Sequence, residues 1–290
     1  MKEYYADFHC HSRNSDGKYE VQDVINMARK ANIKYLSLTD HNKLLDAIEI
    51  YQENNPTIVL IQGSEISTTL QFSSTGRSVG IHIIGLFLEA NNELLTFLAQ
   101  NNNVNNERFE KIIDNLKAFG IDLGSYQEIE RNYPGRKISR MLIAQMMKDK
   151  GFVDSVETGM HKYIGDYGLK LAWEPLNIKY SSFNKTIEMI HRSKGVAILA
   201  HPLSYSLTNT EQQELFIKFR EAGGDAFELS YAAYSEEKRK KLKIQVDSLN
   251  LGLGYSCGSD FHGFLETDCM NHKFPAELYH QMLKIRQKYL

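Results

Sequence analysis

Short apolar runs that stop at a histidine or an acid recur along almost the whole 290-residue chain. Tyr4-Tyr5-Ala6, with Phe8 just beyond, leads into His9-Cys10-His11; Tyr35-Leu36-Ser37-Leu38 leads into Thr39-Asp40-His41. Thr57–Ile61 leads into Gly63-Ser64-Glu65, and Val79–Leu86 carries His82 in its middle. Val196–Ala200 ends at His201-Pro202, and Gly252–Cys257 ends at Gly258-Ser259-Asp260-Phe261-His262. Between them lie segments with apolar residues at helical spacing, such as Val21, Val24, Ile25 and Ala28. Strands alternating with helices imply parallel strands joined by right-handed crossovers. The pattern predicts an α/β fold, a TIM-like barrel whose strand C-termini converge on one face.

The alternation predicts helices over about 20–32 and 43–53, then stops. From 91 to 181 the pattern is helical and polar, with helices expected at Leu94–Asn103, Glu107–Phe119, Ser139–Lys150 and Val156–Ile164. The expected organisation is therefore a barrel from 1–90 and 182–290, with 91–181 as an inserted helical subdomain covering the active-site face. The alternation resumes with helices near Thr186–Ser193, Glu211–Glu221 and Glu236–Leu249, a strand at Ala226–Leu229, and a last helix from Pro275.

On a strand, residues i and i+2 share a side. His9 and His11 thus point together while Cys10 points away, and Asp260 with His262 repeats the arrangement. With Asp16, His41, Glu65, His82 and His201, six of the ten histidines and three acids meet on one edge. Each alone has an ordinary reading: a polar strand end, a turn, a satisfied core histidine. His161, His191, His272 and His280, on helical or loop segments, keep that ordinary reading. All nine on one barrel edge point to metal. A catalytic zinc takes about three protein ligands plus water, so nine donors exceed one ion. Imidazole and carboxylate without thiolate suit manganese, iron or zinc, and three ions sharing one carboxylate is the economical count. Three dications, with about six positive charges, outweigh three carboxylates and leave the bowl attractive to phosphate. A hydroxide held by the ions can attack phosphorus in line, so neither Ser12 nor Cys10 has a catalytic role.

Net charge is −2, so no overall basic field exists to hold long nucleic acid. A small phosphorylated substrate or the end of a short RNA needs only a local patch. Cys10, Cys257 and Cys269 lack CxxC spacing, which suggests neither disulfides nor a thiolate zinc site. With no apolar leader and no run long enough to span a membrane, a cytoplasmic chain without membrane attachment is expected. No Walker-type or GxGxxG loop is present.

These motifs, from His9-Cys10-His11-Ser12 to Gly258-Ser259-Asp260-Phe261-His262-Gly263, resemble the PHP (polymerase and histidinol phosphatase) phosphoesterases. The resemblance implies a distorted (β/α)7 barrel with a trinuclear metal centre. It implies one ion on His9, His11, Glu65 and Asp260, a second on Asp16, His41 and His262, and a third on bridging Glu65 with His82 and His201. Leu199-Ala200-His201-Pro202 and the helical insert look like the stand-alone branch acting on nucleoside monophosphates, 3′,5′-bisphosphates or the 5′ end of short RNA. Histidinol phosphatase is the alternative within the family. Ser139-Arg140-Met141-Leu142 resembles a family segment of Gly-Arg-Pro-His type, which implies that Arg140 grips the substrate phosphate with its planar fork. Leu142 stands where that segment has histidine; Arg136 and Lys137 nearby are read as cations that compensate, with the basic, solvated start of a helix as the alternative. Tyr205, Tyr231 and Phe72 are read as wall packing, with stacking on a base as the alternative. Amidohydrolase barrels also begin with a His-x-His strand, but Asp16 and the Asp260-x-His262 pair suit the phosphoesterase pattern better. A metal-stabilised module without catalysis would lack ligands, and here none is missing.

Overall fold

The computed structural model describes residues 3–134, 136–165, 169–172, 180–264 and 270–290. Among the described residues eight strands form two sheets: β1 (Tyr5–Cys10), β2 (Ile33–Leu38) and β3 (Val59–Leu60) in one, β4 (Gly63–Gln71), β5 (Ser78–Leu86), β6 (Val196–Leu199), β7 (Ala226–Tyr231) and β8 (Gly254–Gly258) in the other. The α/β alternation read from the sequence is present, and α1 (Val21–Lys30) buries the expected Val21, Val24, Ile25 and Ala28.

One difference in the strands bears on the site. β1, β2 and β3 are parallel, as are β6, β7 and β8, but β5 runs antiparallel to both β4 and β6. The expected third strand is only the two residues of β3, and Glu65 lies near the start of β4, not at a strand end. The cause is a hairpin. Ile66-Ser67-Thr68-Thr69-Leu70 is β-branched and alternating, and Gly76, at φ 70, supports the turn that sends β5 back along it. The sheets are laced together at both junctions beside the polar cluster. Asp260 N–H donates to His9 O at 2.7 Å and His11 N–H to Phe261 O at 2.9 Å; opposite, Glu65 N–H donates to Thr39 O at 3.0 Å and Asn42 N–H to Glu65 O at 2.9 Å.

The remaining helices differ from expectation at three places, one of them a helix over Tyr126–Asn132 where none was expected. α2 (Ile48–Asn54) starts five residues late, because Ala47 sits in the left-handed region at φ 52 and Leu44 and Leu45 turn inward instead. The two helices expected over 94–119 are one, α3 (Asn92–Lys117). Its asparagine run reads as a breaker but serves as a polar seam: Asn101 Nδ2 donates to Ser67 O at 3.1 Å, Asn102 Nδ2 to Asn42 O at 2.9 Å, and Asn105 accepts from the Tyr180 hydroxyl. Before this seam α3 puts Leu94, Phe97 and Leu98 into the core around β4, β5 and β6; beyond it, Phe109, Ile112, Ile113 and Leu116 enter a separate core drawn from 109–172. That second core contains α4 (Tyr126–Asn132), α5 (Arg140–Asp149) and α6 (Val156–Gly159), the last continuing as a wide turn to Ile164. α7 (Phe183–Arg192), α8 (Asn209–Glu221), α9 (Glu236–Ser248) and α10 (Leu278–Arg286) follow, close to their expected positions. Cys10 and Cys257 are buried free thiols; Cys269 lies outside the described residues.

Candidate metal centre

The fold brings together the imidazoles and acids singled out in the sequence. His9 and His11, both fully buried, leave β1 on one side, and Cys10 turns away to Ser37 O at 3.3 Å. Asp40 returns the following loop to them, accepting from Ser12 N–H at 2.9 Å, the Ser12 hydroxyl at 2.6 Å and the Ser15 hydroxyl at 2.5 Å. Asp16 is thereby placed 3.3 Å from His262 Nε2 and 3.4 Å from His41 Nε2. His201 and Asp260 follow β6 and β8 with φ of 28° and 55°. Non-glycine residues in that region cost about 1–3 kcal/mol each and concentrate at functional sites.

Glu65 is the hub. Its Oε1 lies 2.8 Å from both His82 Nδ1 and His201 Nε2, and its Oε2 lies 3.1 Å from His41 Nδ1 and 3.3 Å from His9 Nε2 and His11 Nε2. Asp260 Oδ1 stands 3.2 Å from His9 Nε2 and 3.0 Å from His11 Nε2, and those two nitrogens are 3.2 Å apart. Around an ion with bonds of about 2.0–2.1 Å, tetrahedral ligands are about 3.3–3.4 Å apart, so this quartet has the edge lengths of a metal nest. Among the described residues Nδ1 of His11, His41 and His82 is buried and makes no well-formed hydrogen bond, even where a Glu65 oxygen stands near, which is costly for a polar atom and fits a lone pair meant for a cation. The donors group as His9, His11, Glu65 and Asp260; as His11, Asp16, His41 and His262; and as His41, Glu65 and His82. His11 and His41 thus stand at the junction of two groups, where the family pattern implies one each.

A family model described as the PHP domain matches residues 7–154. The chain belongs to the PHP family. It is 31% identical over 259 residues to a 5′-3′ exoribonuclease of Haemophilus influenzae, covering 88% of this chain and 89% of that protein. It is 30% identical to a 3′,5′-nucleoside bisphosphate phosphatase of Chromobacterium violaceum, covering 88% and 86%. A solved structure described as an amidohydrolase from Chromobacterium violaceum, with bound sulfate and no metal, matches at 28% identity with a TM-score of 0.81, covering 97% of this chain and 96% of that one.

The electrostatics of this PHP cluster favour cations. Burial lowers the imidazoles, yet neighbouring carboxylates hold His9 and His11 well above the usual histidine range and raise His201 and His262 as well. At His82 burial prevails and its pKa falls. Burial raises Glu65, Asp16 and Asp260, but the surrounding imidazoles pull all three below the ordinary carboxylate range. Protons on these rings occupy positions that a metal ion would take over.

Around the donors lies a layer the sequence reading missed. Glu228, fully buried on β7, places Oε1 3.0 Å from His9 Nδ1 and accepts His201 N–H on Oε2 at 2.7 Å. Asp7, pushed up to about 6 by burial, accepts from His9 N–H at 3.2 Å and Ser259 N–H at 3.0 Å. The Tyr231 hydroxyl donates to Asp260 Oδ2 at 2.8 Å, and the Tyr205 hydroxyl accepts His82 N–H at 2.9 Å. Phe72 is core. A charged residue inside an apolar strand needs a partner, so Phe227-Glu228-Leu229 carried the signal. Orienting carboxylates of this kind are worth about 10–100-fold in metal affinity or activity. Glu228→Gln, which keeps the shape and removes the charge, is expected to weaken metal binding by that factor in a chelator-competition titration.

Beside the cluster is a cleft lined by Asp16, His41 and His82 and, facing them, Asn105, Arg108, Lys137, Arg140 and Tyr180. Burial lowers the Lys137 ammonium to about 8. Arg136 is not among the lining residues; its guanidinium lies 5.6 Å over the Phe264 ring. Leu142, at the position where the family segment has histidine, is 2% exposed and packs into the core of 109–172. His161, His191, His272 and His280 belong to none of the donor groups; His191, for instance, pairs with Asp225 at 3.0 Å and stacks on Tyr289.

Proposed function

We propose that this chain is a metal-dependent phosphoesterase that hydrolyses nucleotides carrying two phosphates, as 3′,5′-bisphosphates or as the 5′ end of short phosphorylated RNA. His9, His11, Glu65 and Asp260 hold one ion; Asp16, His41 and His262 a second; Glu65, His82 and His201 a third, each manganese, iron or zinc. Ions bound there supply an activated water and offset charge on the leaving oxygen. The strands that carry these donors are read as a distorted TIM-like barrel opened by the β4–β5 hairpin, and 91–181 as a subdomain inserted over its mouth. A chain read as having neither disulfides nor a thiolate zinc site suits work in a reducing cytoplasm.

One observation carries the substrate reading: Arg108, Lys137 and Arg140 line the same cleft as Asp16, His41 and His82. The scissile phosphate sits on the ions, and those cations receive a second one through charge-assisted hydrogen bonds. The two curated relatives, an exoribonuclease and a bisphosphate phosphatase, support this reading. A manganese-supplemented phosphate-release panel tests it. The 3′,5′-bisphosphate and the 5′-phosphorylated oligoribonucleotide are expected to exceed AMP by at least about tenfold in kcat/KM, with histidinol phosphate inert. A preference for AMP or histidinol phosphate would overturn it.

The cleft also sets a pH limb. Lys137 is charged, and grips an anion, below about 8; above that it loses its proton. For the bisphosphate, kcat/KM is therefore expected to fall as pH rises through about 8. In Lys137→Arg, whose charge persists, that limb should vanish from the pH–rate profile.

A further inference from the structure

We propose that Arg13, Arg136 and Phe264 form a seat for the next nucleotide of a single-stranded oligoribonucleotide, the one beyond the scissile phosphate. The seat rests on the phosphoesterase reading above, and adds to it a reason for accepting a chain rather than a single nucleotide.

Three segments meet at this rim. The β1–α1 loop and the loop after β8 are joined where Lys18 N–H donates to His262 O at 2.8 Å. Tyr19 lies flat against Phe261, their rings 7° from parallel at 6.0 Å. Gly263, at φ 79, lets the chain pass there, since a Cβ would fall 2.3 Å from the Tyr19 ring. Phe264 follows these contacts two residues after His262, half-buried, with Arg136 over its ring at 5.6 Å.

Residues 136–139 are not helical, and in extended chain adjacent side chains turn to different sides. Lys137 enters the cleft, whereas Arg136 reaches the rim. One strip of the insert thus presents cations both to the nucleotide being cleaved and to the chain that follows it. Arg136 is half-buried; the charge of Arg13 opposes its own and that of Asp149 favours it, and Arg13 is paired with exposed Glu20 at 2.8 Å. A phosphate at Arg136 offsets the opposition from Arg13, and a base can lie on Phe264 by the stacking that single-strand binders use at any sequence.

The experiment compares kcat/KM for a 5′-phosphorylated trinucleotide and for the 3′,5′-bisphosphate. Arg136→Ala and Phe264→Leu are each expected to lower the trinucleotide-to-bisphosphate ratio about tenfold, the scale of one lost stack, while Arg136→Lys recovers part of it. A ratio unchanged in both variants, or a parallel fall on both substrates, would mean that Arg136 and Phe264 only tie the insert to the sheets. Turnover of the bisphosphate without the trinucleotide by the parent enzyme would also remove the seat. If the parent hydrolyses neither, the phosphoesterase reading itself fails.

Discussion

Glu65→Gln is expected to lower bisphosphate hydrolysis at least a thousandfold, about 4 kcal/mol of transition-state stabilisation. Two oxygens of this one carboxylate touch His82, His201, His41, His9 and His11. Glutamine keeps the length but cannot supply the negative charge that offsets clustered cations, and its NH2 has no lone pair to offer an ion. The loss should appear in metal content as well as rate, with fewer than two equivalents by mass spectrometry where the parent holds more than two. Activity within tenfold of the parent at full metal content would show that Glu65 is not the shared anchor.

The second large effect is steric. Gly258 closes β8 directly against the cluster: an added Cβ would stand 2.2 Å from His9 Cβ and 2.4 Å from Glu228 Oε1. Neither neighbour can retreat, because His9 is fully buried between Glu228 and Glu65. Gly→Ala at a permissive site stabilises by about 0.4–1 kcal/mol. Gly258→Ala should instead cost about 3 kcal/mol, lowering Tm by roughly 5–10 °C, and should displace His9 from the quartet. A variant with parental Tm and metal content would refute this packing account.

The convergence of imidazoles and acids was legible because these residues are chemically unusual where they stand. A histidine or acid at the end of an apolar run is conspicuous one at a time, and the i, i+2 rule aims His9 with His11. Most helices were legible for the usual reason, a buried stripe at helical spacing. What escaped reading depends on partners far along the chain. The direction of β5 is set by the Gly76 turn and by pairing with β4, neither of which changes its apolar pattern. The asparagine-rich stretch around 101–106 looks like a helix break until Ser67 O and Asn42 O are known to accept from Asn101 and Asn102, and Asn105 to accept from the Tyr180 hydroxyl. Glu228 carried the signal of a needed partner but not which partner, and Arg136 looked like Lys137, a nearby cation for the substrate, until the backbone sent it to Phe264.

The unbroken course of α3 has a mechanical consequence. Its 26 residues make a rod roughly 39 Å long, embedded at one end among the strands and at the other among the smaller helices. A rod without a joint transmits torque instead of bending, so the core of smaller helices and the core around the strands are held at one fixed angle and distance.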